Sequence, residues 1–157
     1  VDLSLIIVEG ALLGIVAVTL IIVFVKPRYF IFTFKAIALF IAIRALFISL
    51  THVGIYPGHI DLGLGLFDQI YSYLNFQTGF FFSGQTGQPN LMALIFWETY
   101  AVRIAFMGLS FIFAVAVLLA HIHYSIDVLA APFMAYGIFK IAQYFFPRDY
   151  ELIEHLR

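Results

Sequence analysis

The sequence predicts an all-α integral membrane protein, a helical bundle with about five transmembrane spans. Of the 157 residues, 64% are hydrophobic, and the mean hydropathy is +1.05. Charged residues make up 11% of the chain, less than half of the roughly 25% that is usual in soluble domains. The apolar residues stand in long unbroken runs and not in alternating stripes, which is typical of segments that cross a bilayer.

We predict a single membrane domain over residues 1–157, in which each long apolar run forms one span. The third run is near or below the minimum of about 17 residues for a span, and we expect its helix to begin earlier, around Gly84. A polar extracytoplasmic loop over about 55–83 precedes it, and a polar cytoplasmic tail over 147–157 ends the chain. The predicted spans cover about Leu3–Val25, Tyr29–Gly54, Pro89–Tyr100, Val102–Ala120 and Ser125–Phe146.

The basic residues predict how these spans are oriented. Lysines and arginines gather at the junction of the first two spans, at the junction of the third and fourth, and after the fifth. The loop over 55–83 and the turn at His121 contain none. By the positive-inside rule, the basic junctions face the cytoplasm. With five spans, the N-terminus is then extracytoplasmic and the C-terminus cytoplasmic.

This topology brings polar residues from distant segments to the outer side of the membrane. They are Arg44 near the end of the second span, residues 83–87 before the third, and the pair His123 and Asp127 before the fifth. A spacing of four residues puts the histidine and the aspartate on one face, if the backbone there is helical or is entering a helix. Ionisable groups inside membrane segments are costly, so they are candidates for a functional site.

Each of these segments also has a simpler structural explanation. Arg44 needs an anionic partner, which is either a lipid phosphate or an acid of the chain such as Asp127. Residues 82–89 are typical of a tight loop that opens a helix, with Ser83 or Thr86 as the cap and Pro89 in an early turn. Exposed amides at such a helix start bind anions, but an ordinary interfacial loop has the same residue types.

We predict no metal site and no cofactor. His121 and His123 would point to different faces of a helix, and the absence of cysteine excludes thiolate ligands, disulfides and a cysteine nucleophile. The net charge of -1 gives no indication of a nucleic-acid partner. The predicted outer loop contains groups that would suit a cation, although a solvated loop explains them equally well: His52, His59, Asp61 and Asp68.

Together, these segments resemble the type 2 phosphatidic acid phosphatase superfamily, specifically its sphingomyelin synthase-like branch. Members carry an Arg-x(6)-Thr motif ending near a proline, which Arg44–Thr51 and Pro57 match. They carry Ser-Gly-His-Thr at the start of a span, which residues 83–86 match except at the histidine. They also carry His-Tyr-Ser/Thr-x-Asp-Val, which residues 123–128 match completely. The resemblance covers about residues 44–146, and family members usually have one span more than we predict here.

The resemblance implies phosphoryl chemistry on lipid head groups at the outer leaflet. His123 would attack phosphorus and form a phosphohistidine, and Asp127 would hold its imidazole in the correct tautomer and orientation. A guanidinium and backbone amides would stabilise the charge on the phosphoryl oxygens. The residues that the resemblance assigns to substrate binding are Arg44, Ser83, Gly84 and Thr86.

The sequence departs from the family at two polar positions. Gln85 stands where the family has the histidine that protonates the leaving alkoxide. An amide has no proton to give at neutral pH, and the loss of a general acid typically lowers a rate by about 10²–10⁴. Gly79 stands where the family often has an acidic residue. These changes leave the nucleophile and its orienting acid in place, but they predict impaired catalysis.

We therefore carry several functions forward. The first is a lipid phosphatase or phosphotransferase-like protein whose partners are membrane lipids. The alternative is a non-catalytic lipid-binding or scaffolding subunit that associates with other subunits of a larger membrane complex. A transporter or channel ranks last, because it would need polar residues near the midplane of several spans.

Overall fold

The computed structural model describes Leu20 and residues 26–51, 82–121 and 123–154. Within these ranges the chain forms helices and no strand, which confirms the all-α prediction for this part of the protein. A short 3-10 turn, Pro27–Tyr29, leads into the first helix. The α-helices are α1 (Phe30–Leu50), α2 (Gly84–Ile95), α3 (Tyr100–Leu119), α4 (Ser125–Phe145) and α5 (Pro147–Glu154).

Three segments of the described chain are long and apolar enough to cross a membrane: Pro27–Leu50, Tyr100–Leu119 and Ser125–Phe145. They agree with the second, fourth and fifth predicted spans. The first predicted span, Leu3–Val25, lies outside the described residues except for Leu20. The outer faces of the three helices carry large apolar side chains, among which Phe34, Phe111 and Phe133 are 68%, 71% and 79% exposed. Apolar surfaces of this extent fit contact with lipid.

Helix α2 differs from the third predicted span. It begins at Gly84, as predicted, but it ends at Ile95 after 12 residues and does not reach Tyr100. At about 1.5 Å per residue, it is much shorter than the hydrocarbon core of about 30 Å. The amide of Phe96 still bonds to the carbonyl of Met92 at 2.9 Å, and the chain then turns before α3. Hydropathy placed this turn about four residues later, between Tyr100 and Val102, because Phe96 and Trp97 prolong the apolar run.

Helix α2 lies inside the bundle and packs against α1, α3 and α4. Protein on several sides lets a helix too short to cross the bilayer remain within the bundle. Its contact with α1 is close at Gly87, where an added Cβ atom would lie 3.0 Å from Cζ of Phe40. The Phe40 ring also packs edge-on against Phe82, with 5.5 Å between ring centroids. Glycine at position 87 therefore lets α1 and α2 approach.

Aromatic rings join the helices at the end of the bundle where α1 begins and α2 ends. The rings of Tyr29 and Phe96 stack with 4.9 Å between their centroids. Lys35 of α1 donates to Oδ2 of Asp149 in α5 at 2.6 Å, and its ammonium lies 5.1 Å from the Phe146 ring centroid. These contacts place the start of α1, the end of α2 and the end of α4 side by side.

The predicted polar tail is a packed helix as far as Glu154. Tyr150 of α5 lies against Phe32 of α1 and Phe139 of α4, with ring centroids 5.2 Å and 6.0 Å away, and Ile153 is buried. The charged residues of this segment suggested a tail. Two of its side chains nevertheless face the core, because an amphipathic helix buries only one side.

Most described basic residues lie at this same end of the bundle. Arg103, for example, donates to the Trp97 carbonyl at 3.1 Å and lies 4.5 Å from the centroid of the Trp97 ring. Arg44 is the exception, since it lies about 14 Å further along α1 than Lys35 at 1.5 Å per residue. The basic residues at the end of the bundle where α1 begins and α2 ends are Lys26, Arg28, Lys35, Arg103, Lys140 and Arg148.

A bulky residue at Gly87 should destabilise the bundle. We expect Gly87→Val to lower the free energy of unfolding by about 1–3 kcal/mol, because the new side chain overlaps the buried Phe40 ring. Gly137→Val is the matched control, since a Cβ atom at Gly137 meets no atom within 4 Å. Apparent melting temperatures in detergent measure the difference, and equal melting of the two variants would contradict the close packing of α1 on α2.

Candidate functional site

The predicted site segments meet at the end of the bundle opposite the basic residues. The amide of Ser83, just before α2, donates to the carbonyl of Asp127 in the first turn of α4 at 3.0 Å. The side chain of Arg44, from α1, lies against the first residue of α2. A Cβ atom added to Gly84 would lie 3.2 Å from Nε and 3.4 Å from Cζ of this arginine. The absence of a side chain at Gly84 therefore lets the guanidinium approach the helix start.

His123 and Asp127 form a buried pair across a helix cap. His123 precedes α4, which begins at Ser125, so the pair lies where the chain enters the helix, one of the two backbone forms for which the spacing predicted a shared face. Their side chains are 4% and 5% exposed, with 3.7 Å between Nδ1 of the imidazole and Oδ2 of the carboxylate. The carboxylate also accepts from the amide of Tyr124 at 3.1 Å. The same carboxylate thus caps α4 and faces the imidazole.

Gln85 contacts the other nitrogen of the imidazole. Its Oε1 atom lies 3.2 Å from Nε2 of His123. If the amide oxygen faces the ring, Nε2 carries the proton and is not a nucleophile. If the amide is turned over, its NH₂ donates to Nε2, and the ring proton is then on Nδ1, towards Asp127. In either orientation, the Gln85 side chain has to move before Nε2 can attack a phosphorus atom.

The start of α2 is organised by Ser83. Its Oγ accepts from the amide and from the hydroxyl of Thr86, at 3.3 Å and 3.2 Å. Its carbonyl accepts from the amide of Gly87 at 2.9 Å. Of the two predicted caps, Ser83 is therefore the one used. The first amides of an α-helix have no acceptor within the helix, and such amides together with the helix dipole favour an anion.

Arg44 adds a positive charge to this helix start and is buried. The sequence left open whether it pairs with Asp127. In the part of the chain that the structure describes, the Asp127 carboxylate contacts the His123 ring and the Tyr124 amide instead. A guanidinium beside a helix N-terminus forms a site suited to phosphate or carboxylate oxygens.

Two polar residues that we did not predict hold α2 in place. Ser110 of α3 donates from its hydroxyl to the Thr86 carbonyl at 2.9 Å. The side-chain amide of Asn90 donates to the same Thr86 carbonyl at 3.0 Å and to Oγ of Ser110 at 2.5 Å. A lone hydroxyl inside an apolar span was the available signal, because such groups often bond between membrane helices. They tie the start of α2 to α3.

A pocket of about 500 Å³ opens beside His123. His121 is exposed and has a backbone φ of 55°, in the left-handed region. Its amide donates to the Leu118 carbonyl at 3.2 Å, which ends α3 and holds the backbone of this histidine. The pocket is lined by Leu118, His121, His123, Tyr124 and Ser125.

Several predicted features lie outside the described residues. These are the loop histidines and aspartates, Pro57 and Gly79. Thr51, which ends the arginine motif, is described, and its hydroxyl donates to the Phe47 carbonyl at 2.7 Å. Within the described ranges, no group of three or more His, Asp or Glu side chains is arranged to hold a metal ion.

Comparison with known proteins returns no match to this chain: no protein-family model, no curated protein and no solved structure. The family resemblance therefore rests on the motifs of the sequence. Among the motif residues, the structure brings Arg44, residues 83–85, His123 and Asp127 into one cluster.

Loss of the Ser83 cap should destabilise α2. We expect Ser83→Ala to lower the free energy of unfolding by about 1 kcal/mol, the usual effect of removing a serine cap. Ser125→Ala is the matched control, because Ser125 is an exposed serine at the start of another helix. Thermal unfolding in detergent measures both, and equal stability of the two variants would show that the cap contributes nothing.

Proposed function

We propose that this chain acts on the phosphate head groups of membrane lipids, as a phosphatase or phosphotransferase-like protein with His123 as its nucleophile. One observation carries the proposal. A buried imidazole lies between a carboxylate and the first turn of α2, and the guanidinium of Arg44 lies against that same turn. A phosphoryl-transfer site needs a nucleophile, a group that orients it and positive charge near the phosphoryl oxygens.

His123 and Asp127 supply the first two of these requirements. When the ring proton is on Nδ1, the carboxylate orients the imidazole and stabilises the positive charge that develops as Nε2 attacks. The distance of 3.7 Å is slightly longer than a hydrogen bond. Catalytic hydrogen bonds are often long in unliganded enzymes and shorten in the substrate complex.

Arg44 and the start of α2 supply the third requirement. Charge in phosphoryl transfer is spread over the equatorial oxygens, and fixed donors around them lower the barrier. Arginine offers a planar fork of donors that matches phosphate oxygens, and the α2 amides add neutral donors. We infer that Ser83 and Thr86 shape this helix start, since both belong to its cap.

We place the site on the outer leaflet. Arg44 is at the end of the bundle opposite the other described lysines and arginines, and basic ends face the cytoplasm by the positive-inside rule. In this orientation α5 and the C-terminus are cytoplasmic. With five spans, the N-terminus would be extracytoplasmic.

A second candidate function is lipid binding without turnover, as a subunit of a larger membrane complex. The contact of Gln85 with Nε2 of His123 favours it, because the amide blocks the attacking atom and cannot protonate an alkoxide. The charge arrangement around Arg44 and α2 would still bind a lipid phosphate. Binding and catalysis are therefore separable by experiment.

Turnover should depend on His123 and should improve when position 85 regains an imidazole. We expect His123→Ala to abolish phosphate release from phosphatidic acid in mixed micelles. Gln85→His should raise the rate, by up to about 10²–10⁴-fold if it restores a full general acid. If wild-type protein releases no phosphate and Gln85→His gains nothing, the enzyme proposal is wrong.

Binding should depend on Arg44 whether or not the protein turns lipid over. We expect Arg44→Gln to weaken binding of a short-chain phosphatidic acid by about 10–100-fold, which corresponds to a charged hydrogen bond of about 1.5–3 kcal/mol. Arg103→Gln, at the opposite end of the bundle, is the matched control and should bind normally. Tight binding without turnover would select the second candidate, whereas equal binding by the two variants would remove Arg44 from the site.

A further inference from the structure

We propose that His121 is the proton donor and acceptor of this site, in place of the imidazole that position 85 lacks. The inference rests on the proposed phosphoryl transfer from a lipid to His123. It adds a catalytic residue and predicts which substrates depend on it.

The reaction requires a proton at a defined point. When Nε2 of His123 forms a bond to phosphorus, the bond between phosphorus and the lipid oxygen breaks, and the electron pair leaves on an alkoxide. An alkoxide is a strong base and departs slowly unless an acid protonates it. Gln85, which touches the nucleophile, cannot supply that proton at neutral pH.

His121 is placed to supply it. The pocket beside His123 is lined by both histidines, so a group held there lies next to both residues. The left-handed backbone of His121 and the bond of its amide to Leu118 hold this residue at the end of α3, outside any helix. Within one continuous helix, a spacing of two residues would have turned the two histidines to different faces.

The other polar residues of the pocket are weaker candidates. Tyr124 and Ser125 carry hydroxyls, whereas the general acid of an enzyme is most often a histidine. Histidine is the side chain suited to giving and taking a proton in that range. His121 is also exposed, whereas His123 is buried against Asp127.

His121 recovers its proton by the end of the proposed reaction cycle. The His121 imidazolium gives its proton to the leaving alkoxide, which departs as the free alcohol, and His123 carries the phosphoryl group. Neutral His121 then takes a proton from a water molecule as the water oxygen attacks phosphorus and the bond to Nε2 breaks. Inorganic phosphate leaves, and His121 is again protonated. An alcohol in place of water gives transfer instead of hydrolysis.

Substrates that differ in their leaving group test this role. The leaving group of phosphatidic acid is the alkoxide of diacylglycerol, which needs the acid, whereas 4-nitrophenyl phosphate releases 4-nitrophenolate, a stable anion that does not. We expect His121→Asn to lower the rate of diacylglycerol release from phosphatidic acid by about 10²–10⁴-fold. The first burst of 4-nitrophenolate, which reports phosphoryl transfer to His123 alone, should stay within about threefold of the wild-type rate. Asparagine tolerates the left-handed backbone at this position.

His121→Gly, which accepts the same backbone without strain, should show the same pattern. Ser49→Ala, an exposed change outside the pocket, serves as the control for preparation and folding. An equal loss in diacylglycerol release and in the 4-nitrophenolate burst would mean that His121 has a structural role, and a normal rate of diacylglycerol release would exclude it as the acid. Either result overturns this inference.

The proposed function fails in a different way. If His123→Ala retains the turnover of the wild type on both substrates, or if the wild type turns over neither, then phosphoryl transfer through His123 is wrong and the role of His121 falls with it. If His123→Ala abolishes turnover and His121→Asn does not affect it, only the role of His121 is wrong.

Discussion

One backbone hydrogen bond organises the candidate site: the amide of Ser83 donates to the carbonyl of Asp127 at 3.0 Å. Both residues are almost completely buried. A backbone group that lost its partner away from water would cost free energy, so this link resists opening. It joins the capping residue of α2 to the first turn of α4. Because Gln85 follows Ser83 closely and His123 shortly precedes Asp127, the same link brings the amide and the imidazole together.

The arrangement also depends on two glycines of α2, which have no side chain. Gly84 lets the guanidinium of Arg44 approach the start of α2, and Gly87 lets the ring of Phe40 pack one turn later. Helix α1 therefore lies close to α2 along the stretch that leads to the site. Ser110 secures α2 from the side of α3. A helix too short to cross the bilayer is thus held by neighbours on each side, and its first turn stays in the protein interior, next to a charge.

The site combines structural and chemical demands on the same groups. The Asp127 carboxylate caps α4 through the Tyr124 amide and also faces the His123 ring. The orientation of the imidazole is therefore coupled to the stability of a helix end. Gln85 opposes the chemical role of His123, because its side-chain amide contacts Nε2, the ring nitrogen that would have to attack phosphorus. A histidine at this position would be able both to hydrogen-bond and to donate a proton, whereas glutamine only hydrogen-bonds.

The sequence alone determined that the described chain is α-helical, with segments long and apolar enough to cross a membrane, and it predicted the helices Tyr100–Leu119 and Ser125–Phe145 closely. It also identified Arg44, the 83–86 segment, His123 and Asp127 as candidates, because polar residues are rare in so apolar a chain. Only the tertiary structure decided that α2 is a short buried helix, that α5 packs back on the bundle and that Gln85 contacts the His123 ring. Those outcomes depend on contacts between residues far apart in the chain, on helix caps and on single glycines, and hydropathy and spacing along the sequence do not record them.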